Sequence, residues 1–151
     1  MRNNFTNQET EALQPYGGAK DKKENKIVAN ILIVDDSAFM RGTLQFIVER
    51  AGHTVAGTAK DGQEAINLCQ ELRPDIVTLD ILMGGIDGIV ALKAIKQVSP
   101  KIKVIMVTAI GHEVKRNEAA AFGASGYIRK PFKETEIVNE IKNALAEEYR
   151  A

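Results

Sequence analysis

The stretch Ile31-Leu32-Ile33-Val34-Asp35-Asp36-Ser37 decides the fold. Four apolar residues in a row, three of them β-branched, suit a strand that is buried on both faces. The run stops at two carboxylates and a serine, residue types that open helices by accepting free backbone N–H groups. The period then changes. Met40, Leu44, Ile47 and Ala51 recur at helical spacing, and Gly52 suits the end of that helix. A buried strand that runs straight into an amphipathic helix is the first half of a parallel β-α-β unit.

The same text repeats downstream. His53 to Thr58 reads as a second strand, whose weaker apolarity suits a sheet edge. Asp61-Gly62 opens a second helix with Ala65, Leu68, Cys69 and Leu72 inward, and Pro74 blocks its continuation. Asp75 to Leu79 is a strand, Asp87 to Val98 a helix, Lys103 to Val107 a strand, and Gly111 to Phe122 an Ala-rich helix. Tyr127-Ile128 lies in a short fifth strand, and Lys133 to Tyr149 forms a last helix with Ile137, Ile141, Ala144 and Leu145 on its apolar face. Five β-α units of this kind predict an α/β fold of three layers, a parallel sheet covered by helices on both faces. No repeat of the solenoid kind is present.

Upstream of this block, residues 1–28 hold few apolar residues at any regular spacing, and Pro15, Gly17-Gly18 and Lys20 to Lys26 read as a flexible N-terminal tail. Residues 29–151 then form one domain, a size at which roughly two-thirds of the unfolded surface is buried without disulfide or structural metal. The single Cys69 fits a small apolar filler on a helix and cannot build a disulfide framework. The 20 Lys and Arg balance 20 Asp and Glu, so no global basic field draws the chain to nucleic acid. No apolar run approaches the ~18 residues of a membrane span, and the N-terminus lacks a signal-peptide pattern. A soluble cytoplasmic monomer is expected.

In an open parallel sheet, ligands bind beyond the carboxyl ends of the strands. There the sequence sets Asp35 and Asp36 after the first strand, Asp80 after the third, Thr108 after the fourth and Lys130 after the fifth. Singly, each has an ordinary explanation: a helix cap for Asp36, Ser37 or Thr108, a turn for Asp80, a solvated side chain for Lys130. Together they form a constellation, because three converging carboxylates repel unless a cation joins them. Oxygen donors without histidine describe a Mg²⁺ site better than zinc or iron, and a half-hydrated Mg²⁺ suits phosphoryl chemistry. Asp80 is then the nucleophile that becomes an acyl phosphate, Lys130 neutralises phosphoryl oxygens, and the Thr108 hydroxyl donates to one of them.

Four segments carry a family resemblance: Ile-Leu-Ile-Val-Asp-Asp-Ser at 31–37, Pro-Asp-Ile-Val-Thr-Leu-Asp at 74–80, Val-Thr-Ala at 107–109, and Gly-Ala-Ser-Gly-Tyr-Ile-Arg-Lys-Pro-Phe at 123–132. In combination they resemble the receiver domains of two-component response regulators, and among these the single-domain, CheY-like chemotaxis regulators. The resemblance implies a flavodoxin-like (βα)5 fold with sheet order 2-1-3-4-5. It implies that Asp80 accepts phosphate from a histidine kinase of the CheA type. Asp35, Asp36, Asp80 and the backbone carbonyl of Leu82 would hold Mg²⁺, and Lys130 would precede a cis bond to Pro131. Thr108 and Tyr127 would form the switch, the hydroxyl moving toward the phosphoryl group and the ring following it inward.

Two departures from the family pattern stand out. The usual Met-Pro after the acceptor strand is here Met83-Gly84-Gly85, which predicts a more mobile loop. The positions that tune water access to the acyl phosphate are apolar, Leu82 and Ile110, which predicts slow dephosphorylation. The resemblance implies a signalling phosphoacceptor in place of an enzyme, one that switches its binding to a flagellar motor switch protein of the FliM type. The chain's end at Ala151, directly after the last helix, fits output by contact alone. A phosphorelay intermediate that passes phosphate to a histidine phosphotransfer protein is the alternative, and a separate phosphatase is a partner that the resemblance leaves open. A nucleotide- or flavin-using enzyme would need a Gly-rich loop where Asp35-Asp36-Ser37 stands.

Overall fold

A computed structural model describes residues 27–150. The predicted tail, 1–28, therefore lies outside the described residues except for Ile27 and Val28, both exposed. Strands and helices alternate strictly: β1 (Asn30–Val34), α1 (Ala38–Arg50), β2 (Thr54–Ala59), α2 (Gly62–Leu72), β3 (Ile76–Leu79), α3 (Gly88–Val98), β4 (Lys103–Thr108), α4 (Glu113–Ala121), β5 (Gly126–Arg129) and α5 (Glu134–Arg150). All strand pairs are parallel and the sheet order is β2-β1-β3-β4-β5. This is the flavodoxin-like (βα)5 arrangement expected above. No helix among the described residues is long and apolar enough to cross a membrane.

Alternation along each strand divides the core in two. Leu32, Val34, Val77, Leu79, Val104 and Met106 belong to one cluster with Ala65 and Cys69 of α2, Ala91, Leu92 and Ile95 of α3, and Ala119 of α4. Ile31, Ile33, Ile76, Ile105, Val107 and Ile128 belong to the other, with Leu44, Ile47 and Val48 of α1 and Ile137, Ile141 and Ala144 of α5. Both faces are dry, which is why the central strands read as continuous apolar runs. Cys69 is fully buried, and that burial pushes its thiol up to about 11, so it serves as packing.

Helix ends follow local chemistry. The Ser37 hydroxyl accepts the N–H of Met40 (3.1 Å), Asp61 accepts that of Glu64 (2.9 Å), and Asp87 that of Ile89 (2.6 Å). Of the two candidates for the α1 cap, Ser37 takes the role and leaves Asp36 free for the sheet end. Gly52 has φ +94 and Arg73 φ +49, so α1 and α2 both leave through a left-handed residue, and Pro74 follows where the second helix cannot continue. His53 Nδ1 accepts the Ala29 N–H (3.1 Å) and ties the feet of β1 and β2 together; burial holds its imidazole below the usual value.

Some boundaries differ from the sequence reading. β2 runs one residue later than expected, and α4 starts at Glu113, two residues inside the predicted span. His112 occupies the cap position without a side-chain hydrogen bond, so nothing holds Gly111 and His112 in the helix. Leu72 is partly exposed, because the last turn of α2 lies over the sheet edge, where its Cδ1 approaches Gly57 of β2.

Thr78 sits at the centre of the sheet, in register with Ile33 and Ile105, and its buried hydroxyl has no hydrogen-bond partner. An unpartnered buried hydroxyl costs on the order of 1 kcal/mol or more. Thr78→Val is therefore expected to keep the fold and raise the stability measured by urea denaturation by about 1 kcal/mol. A fall in stability would mean that the hydroxyl has a partner.

Candidate functional site

The parallel sheet delivers the five polar residues singled out at its strand ends to one end. Asp35 and Asp36 follow β1, Asp80 follows β3, Thr108 ends β4, and Lys130 follows β5. Main-chain bonds fix their heights: Asp35 N–H donates to the Ala59 carbonyl (3.0 Å), Asp80 N–H to the Val34 carbonyl (3.3 Å), and Lys130 N–H to the Thr108 carbonyl (2.8 Å). One carboxylate oxygen from each of Asp35, Asp36 and Asp80 lies within 4.8 Å of the others. Three anions this close repel by several kcal/mol at the reduced dielectric of a protein surface, roughly ε 20.

Lys130 offsets part of that repulsion. Its Nζ donates to Asp35 Oδ2 (2.6 Å) and to Asp80 Oδ2 (3.0 Å), with Asp35 at 1 % and Asp80 at 5 % exposure. Burial draws the Lys130 pKa down, but the hydrogen bonds to Asp35 and Asp80 and their charges outweigh it and carry it above the ordinary lysine value. The side chain is therefore a fixed cation. The Lys130–Pro131 peptide is cis, as the resemblance implied.

The remaining carboxylate oxygens are not idle. Asp35 Oδ1 accepts the N–H of Ser37 (2.9 Å), and Asp80 Oδ1 accepts the N–H of Leu82 (3.2 Å). Asp36 alone is exposed, which leaves the cluster open to water on one side. An oxygen-only donor set, partly hydrated, fits Mg²⁺: this ion keeps several waters and binds through one or two carboxylates plus phosphate. Among the described residues no histidine or cysteine joins the cluster.

Thr108 is wholly buried, and its Oγ1 accepts the N–H of Ile110 (3.3 Å). Tyr127 is half-buried against the first core cluster, and its hydroxyl donates to the Ile110 carbonyl (2.5 Å). Burial pushes the Tyr127 hydroxyl above its usual value, with Arg116 opposing and Asp80 adding to the rise. Thr108 and Tyr127 thus meet on one residue, Ile110, of the β4–α4 loop. Leu82 is exposed and Ile110 half-buried, each two residues past a site residue, Asp80 and Thr108. His112 is exposed and His53 lies at the opposite end of the sheet, so neither histidine serves the site.

Two residues of the site escaped the sequence reading. Arg41 Nη1 donates to the Asp35 carbonyl (2.8 Å) and braces the turn that carries two of the acids. Gly88 approaches the Asp80 backbone so closely that a Cβ there would stand 2.1 Å from the Asp80 carbonyl oxygen. The Gly88 N–H also donates to the Ile81 carbonyl (2.9 Å). The Asp87-Gly88 pair signals a helix start, but nothing in the text says that the next turn of chain passes under Asp80.

Comparison with known proteins agrees with this geometry. The model of the response regulator receiver domain matches residues 31–142. The chemotaxis protein CheY of Thermotoga maritima is 44% identical over 111 residues, 74% of this chain and 92% of that protein. The CheY of Bacillus subtilis is 40% identical over 115 residues, covering 76% and 96%. Among solved structures, the CheX–CheY–BeF3–Mg²⁺ complex from Borrelia burgdorferi superposes with a TM-score of 0.78 at 34% identity, over 82% of this chain and 93% of that one. Sheet order, acid cluster and sequence kinship agree, and the chain belongs to the response-regulator receiver family as a CheY-like receiver domain.

Proposed function

We propose that Asp80 accepts a phosphoryl group from a histidine kinase in the presence of Mg²⁺, and that the resulting change at the α4–β5–α5 face controls binding to a flagellar motor switch protein. The observation that carries the first half is the acid cluster: three carboxylates within 4.8 Å, two of them bonded to one lysine. The kinship with CheY proteins supports the second half. A cytoplasmic setting with a CheA-type kinase and a FliM-type target fits that reading.

In this scheme Asp35, Asp36, Asp80 and the Leu82 carbonyl would hold Mg²⁺, which would supply charge neutralisation for an incoming phosphoryl group. Asp80 offers a carboxylate oxygen to phosphorus; the new O–P bond forms as the P–N bond of the kinase phosphohistidine breaks and the imidazole leaves. Lys130 keeps its proton and pairs with a phosphoryl oxygen, exchanging one acidic partner for another. The Thr108 hydroxyl, which now accepts from Ile110, is free to rotate and donate to a second oxygen. That rotation releases the Ile110 N–H and alters the loop that also anchors Tyr127. The shape change is a population shift between two arrangements of one loop.

Intact protein incubated with acetyl phosphate and Mg²⁺ is expected to gain the mass of one phosphoryl group, while Asp80→Asn, or wild type with the metal chelated, gains none. A full gain by Asp80→Asn would overturn the assignment of the acceptor. Leu82→Asn is expected to lose phosphate several-fold faster than wild type, because an amide at this position can orient water that the leucine excludes; an unchanged or slower loss would sink the shielding role. For output, immobilised motor switch protein should retain the domain with beryllofluoride and Mg²⁺ and release it without them. Onward transfer of phosphate to a histidine phosphotransfer protein, with no motor-protein binding, would favour a relay instead.

A further inference from the structure

Residues 82–87, the loop after Asp80, carry two opposite tendencies. Gly84 and Gly85 stand in open space, with nothing within 4 Å of where a Cβ would lie, and Gly85 has φ +80. Glycine loses more freedom on ordering than any other residue, so this pair by itself favours a loose loop. Both ends of the loop are nevertheless tied: the Leu82 N–H donates to Asp80 Oδ1 (3.2 Å), and the Gly88 N–H to the Ile81 carbonyl (2.9 Å). Between them, the side chains of Met83 and Ile86 pack on the first core cluster.

A further tie comes from another element. Gly62, the first residue of α2, is buried, and a Cβ there would stand 3.2 Å from both the Cβ and the carbonyl oxygen of Ile86, and 3.3 Å from the Cβ of Ala91 on α3. The loop backbone therefore lies against the first turn of α2, in a seat that a bare α-carbon leaves open. Glycine is a poor helix former, so this position gives up helix propensity for close approach. Adding a methyl group would require a neighbour to shift by a few tenths of an ångström. Ala91 belongs to α3, whose start is locked onto β3 through Gly88, so the loop at Ile86 is the part that yields.

We propose that Gly62 is a positioning residue: by seating Ile86 against α2 it fixes the loop, and with it the Leu82 carbonyl that would serve as the backbone ligand for Mg²⁺. The proposal rests on the phosphoacceptor reading above and adds what holds its loop ligand in place. Mg²⁺ demands near-ideal octahedral geometry with oxygens at about 2.0–2.1 Å, so a ligand carried on a glycine-rich loop is useful only if that loop is anchored elsewhere.

The test titrates Mg²⁺ alone by calorimetry and follows the Leu82 amide by NMR, with urea denaturation in chelator as the measure of stability. Gly62→Ala and Ile86→Ala are each expected to bind Mg²⁺ about tenfold more weakly, the lower end of the loss seen when groups that orient a metal ligand are altered. Both are also expected to shift the Leu82 amide in the metal-free protein. Ile86→Val, which keeps the branched Cβ, is expected to retain most of the affinity. Gly42→Ala on α1 makes the same change as Gly62→Ala where nothing lies within 4 Å, and is expected to leave Mg²⁺ affinity as in wild type. If Gly62→Ala does not fold, Ile86→Ala and Ile86→Val decide the matter. Wild-type Mg²⁺ affinity in the folded seat variants, or an equal loss in Gly42→Ala, would overturn the seat and leave the acceptor reading standing. Failure of wild type to bind Mg²⁺ at all would remove the acceptor reading, and the seat with it.

Discussion

The domain depends on how a group of like charges is tolerated at one end of its sheet. Asp35 and Asp80 are among the most deeply buried polar residues described, yet they face each other and a third acid. Lys130 makes this possible by donating to both across the ends of β1, β3 and β5, elements far apart in sequence. A buried pair of this kind adds little net stability, because desolvation consumes most of the Coulomb gain. Its value lies in geometry. The lysine leaves one side of the acid cluster free for a further cation and keeps a positive charge beside Asp80 that a phosphoryl group can share.

The rest of the fold serves to hold that end steady. Two dry cores clamp the sheet from either face, and the strands are short, so the polar residues that follow them have little freedom of height. The loops at the site are tied down by small contacts: Ser37 and Leu82 each donate a backbone N–H to an acid, and Arg41 holds the Asp35 carbonyl. These bonds orient the carboxylates from within the protein, which is the condition for electrostatic work at low reorganisation cost.

Most of this was legible in the sequence, and for identifiable reasons. Buried parallel strands need apolar residues on both faces, so Ile31 to Val34 and Val104 to Val107 announce themselves, and the polar residues that break each run mark one end of the sheet. The α1 cap was divided between Asp36 and Ser37 because both residue types accept backbone N–H groups; only geometry shows that Ser37 takes the bond. The start of α4 was misplaced because an Ala-rich helix lacking a strong cap residue fades into its loop without a signal. Arg41 and Gly88 stayed hidden since their roles lie in contacts with backbone atoms, which leave no periodic trace. The bond from the Tyr127 hydroxyl to the Ile110 carbonyl was equally invisible, since its acceptor is a backbone atom seventeen positions earlier.

The bare α-carbon of Gly88 has a mechanical consequence. With its N–H on the Ile81 carbonyl and no room for a methyl against Asp80, the start of α3 and the end of β3 move as one block, and residues 82–87 become a bypass strung between two points of a rigid mount. Any displacement of that bypass falls on Gly84 and Gly85, where a bare backbone turns most freely, while Asp80 beneath it stays put. Compliance and rigidity thereby lie within a few residues of each other along the chain.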